Sequence, residues 1–254
     1  MTYCVGLKIA EGLVFLSDTR TNAGLDDIAC YRKTFNWAIE GERAVTIICA
    51  GNLSITQGVI TELSQDIKRA RTEEVECITN ATTMYRVAEL VSEAMRKVQG
   101  RHRSALKSQG VSSGASMIVG GQRKNGRHRL FHVYSAGNFI EATPDTPYFQ
   151  LGEHKYGKPI LDRVLAAETP MKDALKAVMV SMDSTLRSNL SVGMPLDLTI
   201  IRKDVFDFSV QRRIEADDPD FATLSVRWSQ ALKEAFSALP DIQDESTIEQ
   251  VVSS

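Results

Sequence analysis

Short segments rich in β-branched and aromatic residues occur near both ends and in the middle of the chain. The first two are residues 2–9 (TYCVGLKI) and 13–19 (LVFLSDT), which the tripeptide Ala-Glu-Gly separates. This pattern predicts a β-hairpin at the start of the chain. The stretches ACYRKTFNWAI and RAVTIICAG, joined around Gly41, predict a second hairpin.

Longer segments have apolar residues at helical spacing instead. The predicted helices are residues 54–72, 80–108, 156–167, 171–190 and 221–239. Ser54 and Asn80 are the expected N-caps of the first two. Between and after these helices the chain returns to strand-like segments, which include SGASMIVGGQ, RLFHVYSAG, TPYFQLG, LDLTIIRK and VFDFSVQRR.

The predicted order is strands, two helices, strands, two helices and strands. Short connections between successive strands favour antiparallel sheets. The segments VTIIC, ASMIVGG and LTII are apolar throughout, which requires cover on both faces of a sheet. Two facing antiparallel sheets with a helix pair outside each meet both conditions. We therefore predict an α+β fold, a four-layer α-β-β-α sandwich, with one domain over residues 1–240 and an acidic tail over 241–254.

Composition excludes several classes of function. A net charge of −2 with 24% charged residues gives no general affinity for polyanions or membrane surfaces. No apolar run is long enough to span a bilayer, and the start lacks the pattern of a signal peptide. The four cysteines form no C-x-x-C pair, so we expect free thiols and a cytoplasmic protein.

Other possible ligands receive little support. His128 and His132 have no third convergent ligand, so we predict no metal site. The basic segments RKNGRHR and KVQGRHRSALK are short and lack interleaved aromatic residues, so we predict no nucleic-acid partner. The glycine-rich stretches fit neither a P-loop nor a dinucleotide fingerprint, and we predict no cofactor.

Thr2 is the first candidate for chemistry. Removal of Met1, which the small following side chain permits, leaves a hydroxyl and an α-amine on one residue. Because an α-amine has a pKa of about 8, a fraction of the molecules carry it as an unprotonated base at neutral pH. That base can activate the hydroxyl as a nucleophile. The alternative is that Thr2 is an ordinary second residue.

The residues around Thr2 favour the nucleophile. A tight hairpin returns Asp18 to the neighbourhood of Thr2, because paired strands lie about 4.8 Å apart. Lys33 lies in a segment that can pair beside the hairpin, where its ammonium lowers the pKa of the Thr2 hydroxyl. Gly51 ends a buried strand before a helix, where a backbone N–H can stabilise an oxyanion.

These features resemble the proteasome-like branch of the N-terminal-nucleophile hydrolases, and more closely the bacterial proteasome-related Anbu proteins. The resemblance covers residues 2–201 and rests on MTYCVG, SDTRTNAG, YRKTF, AGNL, FQLGEHKYGKPILDR and SMDSTLRSNLSVGMPLDL. It implies a set of catalytic residues made up of Thr2, Asp18, Lys33, Gly51, Asp183 and Ser191. It implies substrate contacts at Arg20, Asn22, Glu153 and His154.

Two positions depart from the family pattern. Family proteases carry a serine after a glycine close to the nucleophile, where this chain has Glu153 and His154 after Gly152. Asn22 replaces a threonine that contacts the substrate. Asn can still hydrogen-bond a peptide backbone, but both changes bear on the substrate.

The resemblance implies a threonine-type peptidase that acts on peptides within a cytoplasmic homo-oligomer, either a ring or an open helical assembly. An ATP-dependent unfoldase as a partner is left open. Two alternatives remain: an amidase for a small or crosslinked amide, and a scaffold subunit with weak or no catalysis. In the family's rings, the apolar stripe of the last predicted helix is a candidate interface.

Overall fold

Two five-stranded antiparallel sheets lie at the centre of the fold. The computed structural model describes residues 2–22 and 28–241. Sheet I has the order β10 (Tyr148–Gly152), β1 (Tyr3–Ile9), β2 (Gly12–Asp18), β11 (Leu196–Arg202) and β12 (Val210–Ile214). Sheet II has the order β5 (Thr34–Ile39), β6 (Arg43–Gly51), β7 (Ala115–Arg123), β8 (Arg129–Val133) and β9 (Phe139–Glu141). A separate pair joins β3 (Arg20–Asn22) and β4 (Ile28–Cys30).

Helices cover the outer face of each sheet. The first pair, α1 (Leu53–Arg69) and α2 (Met84–Ser108), packs on sheet II. On sheet I, α4 (Met171–Ser188) contacts β1 and β2, and α3 (Lys158–Val164) packs against α4. The predicted α-β-β-α sandwich is therefore confirmed.

The apolar strands are explained by this double cover. Every residue of β2 is buried, because one face meets sheet II and the other meets α4. The layer between the sheets includes Phe15, Ile48, Ile118 and Leu130. Burial of such side chains is worth about 1.5–3 kcal/mol each and holds the two sheets together.

Several predicted boundaries were wrong in detail. The N-cap of α1 is Asn52, which accepts a hydrogen bond from the Ile55 N–H, and the N-cap of α2 is Thr83. Asn80 instead binds the Cys77 N–H within the preceding turn. The predicted strand ACYRKTFNWAI is divided, because its first residues pair with β3 and only Thr34–Ile39 joins sheet II.

The chain divides into two compact units, Met1–Ala216 and Asp217–Ser254. The second contains α5 (Pro219–Ser237), whose N-cap Asp218 accepts hydrogen bonds from the N–H groups of Asp220 and Phe221. A single domain over 1–240 stays a prediction, and residues 242–254 of the predicted tail lie outside the described residues. Among the described residues, no helix combines the length and the apolar character that a membrane crossing requires.

Candidate active site

Thr2 lies directly before β1, where the pairing of β1 with β10 holds its backbone. The Glu153 N–H donates a hydrogen bond to the Thr2 carbonyl at 2.7 Å. Gly152 passes so close that a Cβ there would overlap the Thr2 carbonyl oxygen, and its φ of +78° also favours glycine. The end of β10 therefore fixes the position of Thr2. Met1, whose removal is predicted, lies outside the described residues.

Asp18 returns beside Thr2 because β1 and β2 pair in register, with Cys4 opposite Ser17. The Tyr3 N–H donates to Asp18 Oδ1 at 3.2 Å, and the Gly193 N–H donates to Oδ2 at 3.3 Å. The carboxylate is completely buried. Burial raises the pKa of Asp18, and the charge of Lys33 and its hydrogen bonds oppose that rise.

Lys33 supplies the cation for this buried carboxylate. Its Nζ lies 2.6 Å from Asp18 Oδ1 and 2.7 Å from the Arg20 carbonyl oxygen. The Cys49 N–H donates to the Lys33 carbonyl at 3.0 Å, which ties the extended segment before β5 to β6. The ammonium is thus held in a fixed place, and it lines the same cavity as Thr2.

A cavity of about 260 Å³ opens beside Thr2. It is lined by Thr2, Thr21, Lys33, Cys49, Ala50, Gly51, Leu53, Thr56 and Gly152. Burial raises the pKa of the Cys49 thiol to about 12, so at neutral pH this side chain is an uncharged part of the cavity lining and not a nucleophile. Gly51 has a φ of +106°, and a Cβ there would overlap the Gly114 carbonyl oxygen.

Asp183 and Ser191 lie in and after α4. The Asp183 carboxylate is buried and accepts a hydrogen bond from Arg187 Nε at 3.2 Å. Ser191 lies in the loop that follows the helix, and its N–H donates to Asn189 Oδ1 at 2.9 Å. This loop reaches the site, since Gly193 donates to Asp18.

The predicted substrate-contact residues differ in their surroundings. Arg20 Nη1 donates to the Leu190 carbonyl at 2.9 Å, and Glu153 is buried with its carboxylate bound to Asn189 and to the Lys155 N–H. His154 is exposed. Asn22 is the last residue of β3, and its side chain lies outside the described part of the chain.

Sequence reasoning missed several residues of this site. Asn189 connects Glu153 to the Ser191 loop, and Gly193 leaves room for the Arg20 guanidinium. Gly193 lies in the run SVGMP, within the segment SMDSTLRSNLSVGMPLDL that carries the family resemblance, but the resemblance implied no role for it. The contact of Asn189 with the Ser191 N–H is local, of the kind an Asn often makes two residues along the chain, but no local signal identifies its contact with Glu153, which the tertiary fold sets.

Residues considered for other chemistry are part of the packing. His128 Nε2 lies 2.8 Å from the Ile9 carbonyl oxygen, and the His132 ring lies 4.2 Å from that of Tyr134. Burial lowers the pKa of both histidines. In the described ranges no three His, Cys, Asp or Glu side chains are grouped as metal ligands. All four cysteines are free thiols.

The chain is similar to one family of known proteins over most of its length. Residues 2–201 match the family of proteasome subunits. An Anbu mutant from Hyphomicrobium sp. strain MC1 is 46% identical over 96% of this chain and 100% of its own, with a TM-score of 0.89. Anbu from Yersinia bercovieri is 44% identical over 95% and 99% of the two chains, with a TM-score of 0.88.

A structure described as the helical assembly of the Anbu complex from Pseudomonas aeruginosa is 43% identical, covers 95% of this chain and 98% of its own, and has a TM-score of 0.89. No curated protein matches the chain significantly.

Proposed function

Because this chain belongs to the proteasome-subunit family, and within it to the Anbu branch, we propose that it is a threonine-type amide hydrolase whose nucleophile is Thr2 after removal of Met1. The observation that carries the proposal is the buried Asp18–Lys33 pair, whose ammonium lines the same cavity as Thr2. Such a pair costs free energy to desolvate. Its place beside a candidate nucleophile supports a catalytic role.

In this mechanism the free α-amine of Thr2 takes the proton of the hydroxyl as the oxygen attacks the carbonyl carbon of the substrate. The Lys33 charge stabilises the developing alkoxide, and the Gly51 N–H donates to the oxyanion. The tetrahedral intermediate collapses, and the leaving amine takes the proton from the α-ammonium. An acyl ester remains on Thr2.

Hydrolysis of the ester repeats these steps with water. The α-amine takes a proton from water as the hydroxide attacks the ester carbonyl. Collapse of the second intermediate returns the oxygen of Thr2, which regains the proton, and releases a carboxylic acid. In this proposal Ser191 supports the amine from the loop after α4, and Asp183 supports it from within α4.

The lining of the cavity favours an uncharged side chain of the substrate. Ala50, Leu53 and Cys49 present small or apolar surface, while the charge of Lys33 is already matched by Asp18. The Glu153 carboxylate is bound to Asn189 and is not part of the lining. We therefore favour a peptide with an uncharged residue at the cleaved bond over a small charged amide.

We further propose that the protein acts as a homo-oligomer in the cytoplasm. A structure of Anbu from Pseudomonas aeruginosa is described as a helical assembly. Within the second unit, α5 exposes Val226, Leu232 and Phe236, which are apolar side chains available to a second copy. Light scattering of the purified protein measures its mass, and a monomer would contradict this proposal.

An α′,β′-epoxyketone peptide tests the nucleophile directly, because its double adduct needs both the hydroxyl and the free α-amine of an N-terminal threonine. We expect intact-mass spectrometry to show loss of Met1 and one adduct per chain of the wild type. T2A should give no adduct. T72A, a change at an exposed threonine after α1, is the matched control and should label as the wild type does.

The same samples separate the alternatives. Retention of Met1, or no adduct on the wild type, would favour the scaffold and overturn the hydrolase. If the wild type labels, turnover of peptides and of small amides measured side by side identifies the substrate class. Cleavage of small amides alone would contradict the peptide proposal.

A further inference from the structure

Glu153 stands where the family's proteases have a serine, but its carboxylate is hydrogen-bonded to other residues of the protein. Its Oε1 accepts a hydrogen bond from the Lys155 N–H at 2.8 Å, and its Oε2 accepts one from Asn189 Nδ2 at 3.0 Å. The residue is only 7% exposed. Its own N–H holds the Thr2 carbonyl at 2.7 Å. One residue therefore contacts both the backbone of Thr2 and the segment after α4.

Asn189 extends this connection into the loop of residues 189–193. It is 8% exposed, and while its Nδ2 donates to Glu153, its Oδ1 accepts the Ser191 N–H at 2.9 Å. The loop is thus held from the β10 side at its first residue. It is the segment that carries Ser191, the predicted support of the α-amine.

The same loop is also held by residues at the end of β2 and the start of β3. The Gly193 N–H donates to Asp18 Oδ2 at 3.3 Å, and Arg20 Nη1 donates to the Leu190 carbonyl at 2.9 Å. Gly193 has no side chain, which lets the Arg20 guanidinium lie against it. The loop is therefore fastened from both sides of Thr2.

We propose that Glu153 is a positioning residue, which acts with Asn189 to hold the loop of residues 189–193 in register with Thr2 and so sets the reactivity of the nucleophile. The inference rests on the proposed function. It assigns the carboxylate to the support of the site and not to contact with the substrate. Misplacement of a reacting group by about 1 Å is enough to cost about 100-fold in rate.

The arrangement requires an acceptor at residue 153 and both a donor and an acceptor at residue 189. A carboxylate accepts two hydrogen bonds, and the two N–H donors that it binds hold the pKa of Glu153 below its usual range. It therefore stays ionised at neutral pH. An amide at residue 153 would have only one acceptor oxygen for these two donors, so its NH2 group would meet either Asn189 Nδ2 or the Lys155 N–H.

The test exchanges the donor and the acceptor in the hydrogen bond between residues 153 and 189. In E153Q one of the two N–H donors loses its acceptor, and we expect kcat to fall about 10-fold on the peptide substrate while KM changes less than about twofold. In N189D two carboxylates meet, and kcat should fall about 100-fold.

In E153Q/N189D the new amide at residue 153 can donate to the new carboxylate at residue 189, and that carboxylate can still accept the Ser191 N–H. We expect kcat to return to within about threefold of the wild type. Recovery in the double variant distinguishes the specific contact from general loss of stability, because the effects of the two single changes would otherwise add.

Hydrogen exchange gives a measurement that does not depend on activity. The Ser191 amide should exchange about 10-fold faster in E153Q and regain protection in the double variant. E168Q, the same change at an exposed residue, is the control and should match the wild type in both measurements.

Unchanged Ser191 exchange in both E153Q and N189D would overturn the connection, and a double variant no better than N189D would overturn the positioning role. Faster exchange in E153Q with a wild type that neither labels nor hydrolyses would support the connection and overturn the proposed function. The two failures are therefore distinguishable.

Discussion

At the residue scale, Gly152 shows how closely the two backbones approach at the site. Its φ of +78° lies in the left-handed region, and a Cβ would overlap the Thr2 carbonyl oxygen. Glycine is required here for two separate reasons, conformation and space. Because residue 152 has no side chain, the backbone of β10 can pass close enough to hold Thr2 in place.

G152A should therefore displace Thr2. We expect labelling by the epoxyketone to slow by at least about 100-fold, because even a small displacement of a nucleophile is costly. Rates of adduct formation measured by mass spectrometry check this.

G41A is the matched control for that change. Gly41 has a φ of +67°, but a Cβ there meets no atom within 4 Å. G41A should lose about 1 kcal/mol of unfolding free energy through backbone strain and keep its labelling rate. Equal labelling rates in G152A and G41A would show that the close approach to Thr2 does not matter.

At the element scale, the start of α1 connects the helix to the wall of the cavity. Asn52 accepts hydrogen bonds from the Ile55 N–H at 3.2 Å and from Ser54 Oγ at 2.7 Å. Its Nδ2 donates to the Ser112 carbonyl, which ties the helix to the segment before β7. The next residue, Leu53, lines the cavity.

N52A should lower the free energy of unfolding by about 1 kcal/mol or slightly more, through loss of the cap and of the bond to Ser112. S54A removes an exposed hydroxyl and its hydrogen bond to Asn52 Oδ1, and should cost less than about 0.5 kcal/mol. Urea denaturation of both variants measures the difference. A larger loss of unfolding free energy in S54A than in N52A would identify Ser54 as the N-cap, as the sequence predicted.

At the scale of the first unit, the Asp18–Lys33 pair joins the two sheets. Asp18 ends β2 of sheet I, and Lys33 directly precedes Thr34 of sheet II. Beside it, Ser17 Oγ and Thr34 Oγ1 lie 2.8 Å apart. The site therefore forms part of the connection between the sheets.

K33M should lower the free energy of unfolding by about 3–5 kcal/mol at pH 7, because it leaves a buried carboxylate without its cation. Burial already raises the pKa of Asp18, and loss of the ammonium raises it further. The loss of unfolding free energy in K33M should be greatest at pH values above the pKa of Asp18 in the folded variant. It should shrink as the pH falls towards about 3.9, the value in the unfolded chain.

Urea denaturation between pH 4 and pH 7 measures this dependence. D18N/K33M should recover part of the stability, since it removes the charge as well, but should remain inactive. K176M, which breaks an exposed pair with Asp173, is the control and should cost less than about 1 kcal/mol at any pH. A loss in K33M that does not depend on pH would contradict the explanation.

Local pattern was enough for the architecture. The β-branched and aromatic residues of β1 and β2 and the short turn between them predicted their pairing, and that pairing brings Asp18 back to the start of the chain. Apolar strands required cover on both faces, which led to the four layers. The roles of Thr2, Lys33 and Gly51 stay predictions, although the structure places all three around one cavity.

What the sequence determined by itself was therefore the helices and most of the strands, their order and the hairpin that returns Asp18, because these depend on neighbours along the chain. Only the tertiary structure decided that Glu153 binds Asn189, that Gly152 passes against Thr2 and that Arg20 lies against Gly193. These partners are far apart in sequence, and the direction of each side chain follows from the packing of sheets and helices. The Glu153 carboxylate, expected to meet the substrate, is bound within the protein for that reason.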